Sequence, residues 1–306
     1  MRVVALFLCV WVLAAGAAEK LGEKFVDLIQ ISDTHIANFE GVHPDLVKAR
    51  VANATSLAKF QEFADGFAKG PKATLVHTGD IVDAVCFDGA DGKPLYGQID
   101  LVKKVLRPVR HRYYFALGNH DVECYRRDAT KPASPISDQS VAAETRKLWG
   151  KQFRFLKKRS YYSVPLKVGK ARYRLYMLDN GQAFAQGGKD ILVEQLAWLR
   201  AEMRKRPKEK VVAAVHVPIT NDERSKLLRE ALLDAPGNVV LLCGHLHSDQ
   251  VSRIEGSRIE GNGKTILSVR TASMMGGPDR YRKIRLREDG VDVYETGPAG
   301  RLALTF

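Results

Sequence analysis

Residues 25–35 read Phe-Val-Asp-Leu-Ile-Gln-Ile-Ser-Asp-Thr-His, an apolar run followed at once by Asp33 and His35. The run is almost continuously apolar rather than alternating, which is typical of a strand that is covered on both faces. Asp33 and His35 lie two residues apart, so on an extended turn both side chains can face one ion. The stretch therefore predicts a buried strand of an α/β fold that ends in a ligand site.

Similar runs recur along the chain, and most of them also end at polar residues of metal-ligand type. The further runs cover residues 73–78, 112–117, 173–178, 211–215 and 239–243. All but the run at 173–178 lead directly into a motif; these motifs are Gly79-Asp80-Ile81-Val82-Asp83, Gly118-Asn119-His120-Asp121, His216-Val217-Pro218 and Gly244-His245-Leu246-His247. In open α/β sheets ligands bind beyond the carboxyl ends of the strands, so the fold itself is expected to bring these motifs together.

Helical patterns separate several of these runs. Apolar residues recur at three-to-four spacing over residues 44–69, 98–106, 190–206 and 222–233, which predicts helices between strands and a largely parallel sheet. Short runs at 254–259, 265–271, 280–287 and 290–295, and a hairpin of 161–164 with 173–178, predict strands of a second sheet. Residues 126–140 are polar and irregular, either a loop at the mouth of a site or a solvated connection.

Length and the first residues bear on domain count and compartment. With 306 residues, 45% of them hydrophobic, the chain predicts one large domain. Residues 1–18 contain Arg2, a short apolar run and small residues, the layout of a secretory signal peptide. We expect residues 19–306 to form a single domain exported to the periplasm or secreted, with an uncleaved anchor as the alternative. The apolar run is shorter than the ~20 residues of a membrane span, and no later segment resembles one.

Charge and cysteine content narrow the partners and the redox state. The formal net charge of +13 predicts a weak attraction to anionic surfaces, but no nucleic-acid motif accompanies it. Cys9 lies in the predicted signal, so Cys86, Cys124 and Cys243 remain and allow one disulfide at most. Cys86 and Cys124 each closely follow a motif and are the candidate pair. Cys243 lies in an apolar run and is predicted to be a buried strand thiol.

In combination these motifs resemble the calcineurin-like metallophosphoesterase superfamily over roughly residues 25–295. The resemblance implies an α/β fold, a four-layer αββα sandwich of two mixed β-sheets with a dinuclear metal site at the C-terminal ends of the strands. It assigns Asp33, His35 and His247 to one ion, Asp80 to a bridge, and Asn119, His216 and His245 to the second ion. Such mixed imidazole, carboxylate and amide ligands suit Fe, Mn, Zn or Co.

The same resemblance implies a hydrolase that cleaves a phosphate ester by in-line attack of a metal-bridging hydroxide. By resemblance His120 is not a ligand but faces the substrate, where it would protonate the leaving oxygen, with Asp83 orienting and charging it. Asp121 is interpreted as a structural partner of the site. Taken singly, Asp80 could be a helix cap, Asn119 a turn amide and His216 a core histidine, but all such explanations would have to hold together.

The substrate and the branch of the family stay open. The pattern is most similar to the class III cyclic-nucleotide phosphodiesterase-like branch, whereas purple acid phosphatases have Tyr where Asp83 stands and lack His35. The chain departs from that branch at Val217, where many members have a second His. The substrate is expected to be a phosphomonoester or phosphodiester of a small molecule or nucleotide. A non-catalytic metal-binding scaffold or binding module on the same fold is the alternative.

Overall fold

The computed structural model describes residues 25–110, 112–181, 189–219, 223–256 and 263–306. The predicted signal peptide, residues 1–18, lies outside the described residues. The strands are β1 Val26–Ile31, β2 Thr74–His77, β3 Cys86–Asp88, β4 Pro94–Leu95, β5 Tyr113–Phe115, β6 Cys124–Arg126, β7 Ile136–Asp138, β8 Tyr162–Val168, β9 Ala171–Met177, β10 Lys210–Ala214, β11 Val239–Cys243, β12 Gln250–Glu255, β13 Thr265–Arg270, β14 Arg282–Leu286, β15 Val291–Thr296 and β16 Leu302–Thr305. The α-helices are α1 Pro44–Ala49, α2 Ser56–Lys69, α3 Gln98–Leu106, α4 Ala142–Gln152, α5 Lys189–Arg204 and α6 Glu223–Leu233.

Two six-stranded mixed sheets form the centre of the molecule. The first has the order β16-β15-β14-β1-β2-β5, with β1, β2 and β5 parallel. The second has the order β12-β13-β11-β10-β9-β8, with β13, β11, β10 and β9 parallel. The six apolar runs thus divide into two parallel centres rather than one sheet. The tail strands also divide, because β12 and β13 extend the second sheet and β14 to β16 the first.

Alternation along the strands explains the layers. Val212 and Ala214 of β10 belong to the cluster between the two sheets, whereas Val211 and Ala213 pack with Leu199 of α5. Since successive strand residues point to opposite faces, β10 is apolar on both of them. On the other side of the molecule, Phe60 of α2 and Trp149 of α4 contact rings of the first sheet. The αββα sandwich expected from the family resemblance is confirmed.

The helix predicted over residues 44–69 is interrupted. The chain forms α1, a 3-10 turn at Val51–Asn53 and then α2. At this interruption Arg50 and Asn53 turn their side chains to the Asp83 carboxylate. A buried charge needs such partners, so the helix gives way to the site. Helix α4 was not among the helices predicted from sequence. Its Trp149 Nε1 donates to the Asp121 carbonyl at 2.7 Å.

A small third sheet, of order β4-β3-β6-β7, lies beside the site. Its middle strands are joined by a disulfide between Cys86 and Cys124, the candidate pair of the sequence analysis. Its edge strand β7 lies within the segment 126–140 predicted to be irregular. Cys243 is a buried free thiol, as predicted. In the part of the chain that the structure describes, no helix combines the length and apolarity needed to cross a bilayer.

Candidate metal centre

The predicted ligands stand at strand ends in an unusual backbone conformation. Six described residues other than glycine have positive φ, and all but one of them are predicted ligands: Asp33 (52°), His35 (42°), Asp80 (54°), His245 (70°) and His247 (53°). Left-handed conformations cost energy in residues with a Cβ, and they cluster at functional sites. The fold therefore turns these side chains sharply out of their strands toward one place.

One group of side chains meets at the end of β1. His35 Nε2 lies 3.2 Å from His247 Nε2, and His247 Nε2 lies 3.3 Å from Asp33 Oδ1. Asp33 is fully buried, while its Oδ2 accepts from the His245 main-chain N–H at 3.0 Å. One ligand atom from each of Asp33, His35 and His247 lies within 4.8 Å of the others, close enough to hold one ion. These are the three residues that the resemblance assigned to the first ion.

A second group meets around Asp80. His216 Nε2 lies 3.0 Å from Asp80 Oδ2, and His245 Nδ1 lies 3.1 Å from His216 Nε2. The other ring nitrogen of His216, Nδ1, lies 2.9 Å from the Thr78 carbonyl, which only accepts, so Nδ1 donates to it. Nε2 is then the nitrogen that could bind a metal in place of a proton. Asp80 Oδ2 also lies 3.8 Å from His35 Nε2, so this carboxylate stands between the two groups.

Asn119 follows β5, and the absence of a hydrogen-bond partner for its side-chain oxygen supports a metal site. Its Oδ1 is buried without a hydrogen-bond partner. A buried amide oxygen with no partner is costly unless something else binds it. The donor set of imidazole, carboxylate and amide fits a transition or other divalent ion. The chain is therefore able to hold metal at this edge, where six of the seven predicted ligands meet. Asn119, the seventh, is next to His120, whose main-chain N–H bonds to Asp80.

The charges of the site act on one another. Burial would raise the pKa of Asp80, but the neighbouring His216 and His120 hold it well below its usual value. Burial and repulsion by His120 lower the pKa of His35 to about 3. Burial also acts to lower the pKa of His216, yet the Asp80 carboxylate raises it to about 9. The protein's own groups thus favour an ionised Asp80 and a neutral His35, the forms that bind a cation.

The imidazole of His120 faces the same edge. Its Nε2 lies 3.9 Å from Asp80 Oδ2, and its main-chain N–H donates to Asp80 Oδ1 at 2.9 Å. Its Nδ1 lies 3.0 Å from the carboxylate of Glu123, a residue that the sequence analysis did not single out. Burial lowers the pKa of His120, but the charges of Asp80 and Glu123 more than offset this and raise it to about 10. His120 is thus held beside the predicted ligands with its Nε2 toward Asp80.

The charge of Asp83 helps to raise the pKa of His120, but the carboxylate is not placed to orient the ring by a hydrogen bond as predicted. Its carboxylate does not bond to His120; it binds the guanidinium of Arg50 and accepts from Asn53 Nδ2 at 2.7 Å. Only the main-chain carbonyl of Asp83 meets His120, at 2.9 Å from Nδ1. The fully buried carboxylate takes the strongest donors available, and these come from the interrupted helix. The carboxylate that meets His120 Nδ1 is that of Glu123, three residues further along the chain.

Asp121 supports the loops, as interpreted from sequence. Its two oxygens accept from the main-chain N–H groups of Ile81, Val82 and Gly118 at 2.8–3.0 Å. Burial, together with the nearby Asp80, raises the pKa of Asp121 to about 7.

A cavity of about 270 Å³ opens in front of the site and is lined by His35, His120, His247, Arg50, Asn53, Ala49, Ala52 and Met275. The cavity gives a small molecule access to His120 and to two of the predicted ligands, His35 and His247.

Comparison with known proteins gives the site a context. A family model described as calcineurin-like phosphoesterase matches residues 27–249. No curated protein sequence matches the chain. A dimetal phosphatase from Danio rerio is similar in structure, with a TM-score of 0.53 and 13% identity over 92% of this chain and 99% of that one. GAP50, the anchor in the inner membrane complex of Plasmodium, has a TM-score of 0.52 and 12% identity over 93% and 88%. At such identities these likenesses show the fold alone.

Proposed function

Because the chain belongs to the calcineurin-like phosphoesterases, a family of phosphate-ester hydrolases, we propose that it hydrolyses its ester with a pair of metal ions. The observation that carries the proposal is the meeting of six of the seven predicted ligands, all but Asn119, at one edge. The Asn119 side-chain oxygen is buried and unpartnered, and its neighbour His120 donates from the main chain to Asp80 Oδ1 at 2.9 Å. When bound, two ions would supply the positive charge that acidifies a water and offsets charge on the phosphoryl oxygens. Fe, Mn, Zn and Co all suit these ligands.

The protein's own residues would divide the remaining tasks. Asp33, His35 and His247 would hold one ion, and Asn119, His216 and His245 the other. The Asp80 carboxylate has two oxygens and lies between the groups, so it is the proposed bridge. His120 Nε2 faces the same edge and would donate a proton to the leaving oxygen. A binding module would not need an imidazole positioned beside the ligands.

Metal content tests the ligand assignment. Wild-type protein purified without chelator is expected to contain up to two transition ions per chain by elemental analysis. Asp80→Ala is expected to lose both, because one carboxylate serves both groups, whereas Asp91→Ala in an exposed turn should keep them. Retention of both ions by Asp80→Ala would refute the bridge, and a metal-free wild type under metal-replete conditions would refute the site.

Loss of the proposed acid separates metal binding from chemistry. His120→Ala is expected to keep its ions and to slow hydrolysis by about 10²–10⁴-fold, the usual contribution of a general acid. The measurement is kcat with the best ester together with metal content. Unchanged turnover would remove His120 from the reaction. Metal binding without any turnover in the wild type would favour the alternative function, a non-catalytic binding module.

Substrate class needs its own experiment. We propose a phosphorylated small molecule or a nucleotide, because the cavity is small and is lined by His120 and by two predicted ligands, His35 and His247. Rates with p-nitrophenyl phosphate and bis-p-nitrophenyl phosphate, measured with each of the four candidate metals, would separate a monoesterase from a diesterase. A clear preference for one ester over the other in every metal would assign the class.

Export is a further part of the proposal. The signal-like residues 1–18 motivate it, and the Cys86–Cys124 disulfide is of a kind that persists in oxidising compartments. Cell fractionation together with N-terminal sequencing of the purified protein is the test. A mature chain that begins near residue 19 outside the cytoplasm is expected. An intact N-terminus on cytoplasmic protein would contradict export.

A further inference from the structure

Glu123 is a buried carboxylate in direct contact with the proposed acid. Its side chain is 3% exposed, and Oε1 lies 3.0 Å from His120 Nδ1. Burying a carboxylate is costly unless it is paired or hydrogen-bonded, so the contact has a purpose in the fold or the site. No motif contains Glu123, and its place three residues after His120 is its only sequence signal.

The contacts of His120 Nδ1 determine which ring nitrogen carries a hydrogen. Besides Glu123, Nδ1 meets the Asp83 main-chain carbonyl at 2.9 Å. A carbonyl oxygen and a carboxylate both accept, so Nδ1 must donate. The Tyr125 hydroxyl, 3.0 Å away, therefore does not donate to it. The second nitrogen, Nε2, is left to face Asp80 and the cavity.

The other oxygen of Glu123 is held from the third sheet. Oε2 accepts from the Ser137 hydroxyl and from Gln139 Nε2, the latter at 3.2 Å. Ser137 lies on β7, and Cys124 next to Glu123 is fixed to β3 by the disulfide. Glu123 is thus held by the end of the segment 126–140, through Ser137 and Gln139. This support fixes where its Oε1 points.

We propose that Glu123 is a positioning residue for the reaction: it accepts from His120 Nδ1 and so aims Nε2 at the leaving oxygen. The inference rests on the proposed function and adds the group that orients its acid. The Asp83 carboxylate, the partner expected from sequence, is occupied by Arg50 and Asn53. Orientation here comes from a hydrogen bond, so another acceptor of the same length should serve.

Kinetics with two leaving groups test the role. p-Nitrophenolate departs without a proton, whereas the more basic phenolate needs one. Glu123→Ala is expected to lower kcat for phenyl phosphate, or for diphenyl phosphate if the enzyme is a diesterase, by about 10–100-fold. The matching p-nitrophenyl ester should change far less, with KM and metal content near wild type. Equal slowing of both esters, or no slowing, would overturn the proposal.

The conservative variant separates orientation from charge. In Glu123→Gln the new amide oxygen can still accept from Nδ1. Its N–H₂ would face Gln139 Nε2, but a flip of the Gln139 amide brings round Oε1, which is buried without a partner, as an acceptor. Glu123→Gln is therefore expected to restore the phenyl ester rate nearly to wild type. A Glu123→Gln rate as low as that of Glu123→Ala would overturn orientation as its role. Glu144→Ala, an exposed carboxylate on α4, is the matched control.

A readout independent of turnover keeps the inference testable. In protein labelled with ¹⁵N-histidine, the His120 Nδ1–H proton, identified by its loss in His120→Gln, should be visible in wild type and in Glu123→Gln. In Glu123→Ala, and less so in Ser137→Ala, it should move upfield or disappear. An unchanged resonance in Glu123→Ala would overturn the proposal. A wild type that hydrolyses no ester would instead refute the proposed function.

Discussion

At the scale of single residues, buried hydrogen-bond chains decide how well the ligands are placed. The Gly79 N–H donates to His77 Nδ1 at 3.1 Å, so the hydrogen of this ring is on Nε2. His77 Nε2 donates to Thr34 Oγ1 at 3.0 Å, and Thr34 donates to the Ile81 carbonyl at 2.7 Å. His77 and Thr34 thus each accept one hydrogen bond and donate one. This chain of hydrogen bonds links the Asp-Thr-His motif to the Gly-Asp motif behind the metal site.

Removal of the Thr34 hydroxyl should therefore cost both stability and metal. Thr34→Val keeps the shape but leaves the His77 N–H unpaired and the Ile81 carbonyl with only its bond from the Ile36 N–H, which should lower the free energy of unfolding by about 1–3 kcal/mol. Urea unfolding of metal-free protein measures this, and metal titration should show weaker binding. Thr74→Val on the neighbouring strand β2 is the matched control. Equal stabilities of the two variants would contradict the role of the chain.

Glycine contacts make a second prediction at this scale. A Cβ on Gly181 would lie 2.6 Å from the Asn119 nitrogen, whereas a Cβ on Gly237 would meet nothing within 4 Å. Gly181→Ala should displace the Asn119 loop, lower the free energy of unfolding by about 1–3 kcal/mol and weaken metal binding. Gly237→Ala should leave both near wild type. Thermal unfolding and metal content are the measurements; identical behaviour of the two variants would contradict it.

The candidate ligands could be named from sequence, but their supports could not. Asp33, Asp80 and His245 each follow an apolar run, so strand periodicity and the edge rule suffice to place them together. Glu123, His77 and Gly181 act through contacts with residues that are distant in sequence or on another turn. Such contacts depend on side-chain rotamers and sheet packing, which no local pattern fixes. Asp83 shows the same limit, since the expected partner of His120 bonds to Arg50 instead.

At the scale of elements, the third sheet depends on its covalent link. The Cys86–Cys124 disulfide joins β3 to β6, closes a loop with a sequence separation of 38, and lies next to Glu123. Such a link stabilises mainly by constraining the unfolded chain. The strand pairing itself stays possible without it. The expected effect of its loss is therefore on stability first, and on His120 through Glu123 second.

Reduction of the Cys86–Cys124 disulfide should therefore lower the stability of the protein without unfolding it. Cys86→Ser together with Cys124→Ser is expected to lower the free energy of unfolding by about 2–4 kcal/mol in urea titrations. A thiol reductant should lower the stability of the wild type toward that of the double variant. The double variant itself should not respond to reductant, which serves as the control. If the reductant lowered the stability of the wild type and of the double variant equally, it would not be acting through this disulfide.

Element boundaries show what periodicity cannot predict. Residues 44–69 have a continuous helical pattern, yet the helix stops at Arg50 because Arg50 and Asn53 serve the buried Asp83. In contrast, the pattern over residues 98–106 predicted α3 correctly, since no residue in it is drawn to the site. Sequence patterns hold where packing alone decides. The pattern over residues 44–69 fails where Arg50 and Asn53 bind the buried charge of Asp83.

At the scale of the whole molecule, the candidate ligands come from both sheets. Asp33, His35, Asp80 and Asn119 follow strands of the first sheet, whereas His216, His245 and His247 follow strands of the second. Polar side chains also connect the sheets. The Tyr162 hydroxyl of β8 donates to the Phe115 carbonyl and accepts its N–H, at 3.1 and 3.0 Å, and Gln30 donates to the Cys243 carbonyl at 3.0 Å.

Loss of the Tyr162 hydroxyl should weaken this connection. Tyr162→Phe leaves the N–H and the carbonyl of Phe115 buried without that partner, so the free energy of unfolding should fall by about 1–3 kcal/mol. Tyr96→Phe, at an exposed ring, is the matched control. Urea unfolding measures both. A Tyr162→Phe variant as stable as the control would show that the sheets do not depend on this contact.

Metal removal should act on the entire fold. A ligand that binds only the folded chain stabilises it by about 2.7 kcal/mol at a free concentration of 100 times its Kd. A chelator is therefore expected to lower the thermal midpoint of wild type, and added metal to restore it. Asp80→Ala should start low and not respond to the chelator. A wild-type midpoint that is indifferent to both additions would contradict a centre shared by the two sheets.

With the proposed function, the split origin of the candidate ligands would make assembly a precondition for reactivity. A newly made chain with one half folded would present only part of the coordination set and would attack no ester. Activity would begin only when both halves have docked in register, and it would end when they part. Cleavage would thus be restricted, without any separate inhibitor, to finished copies of the protein.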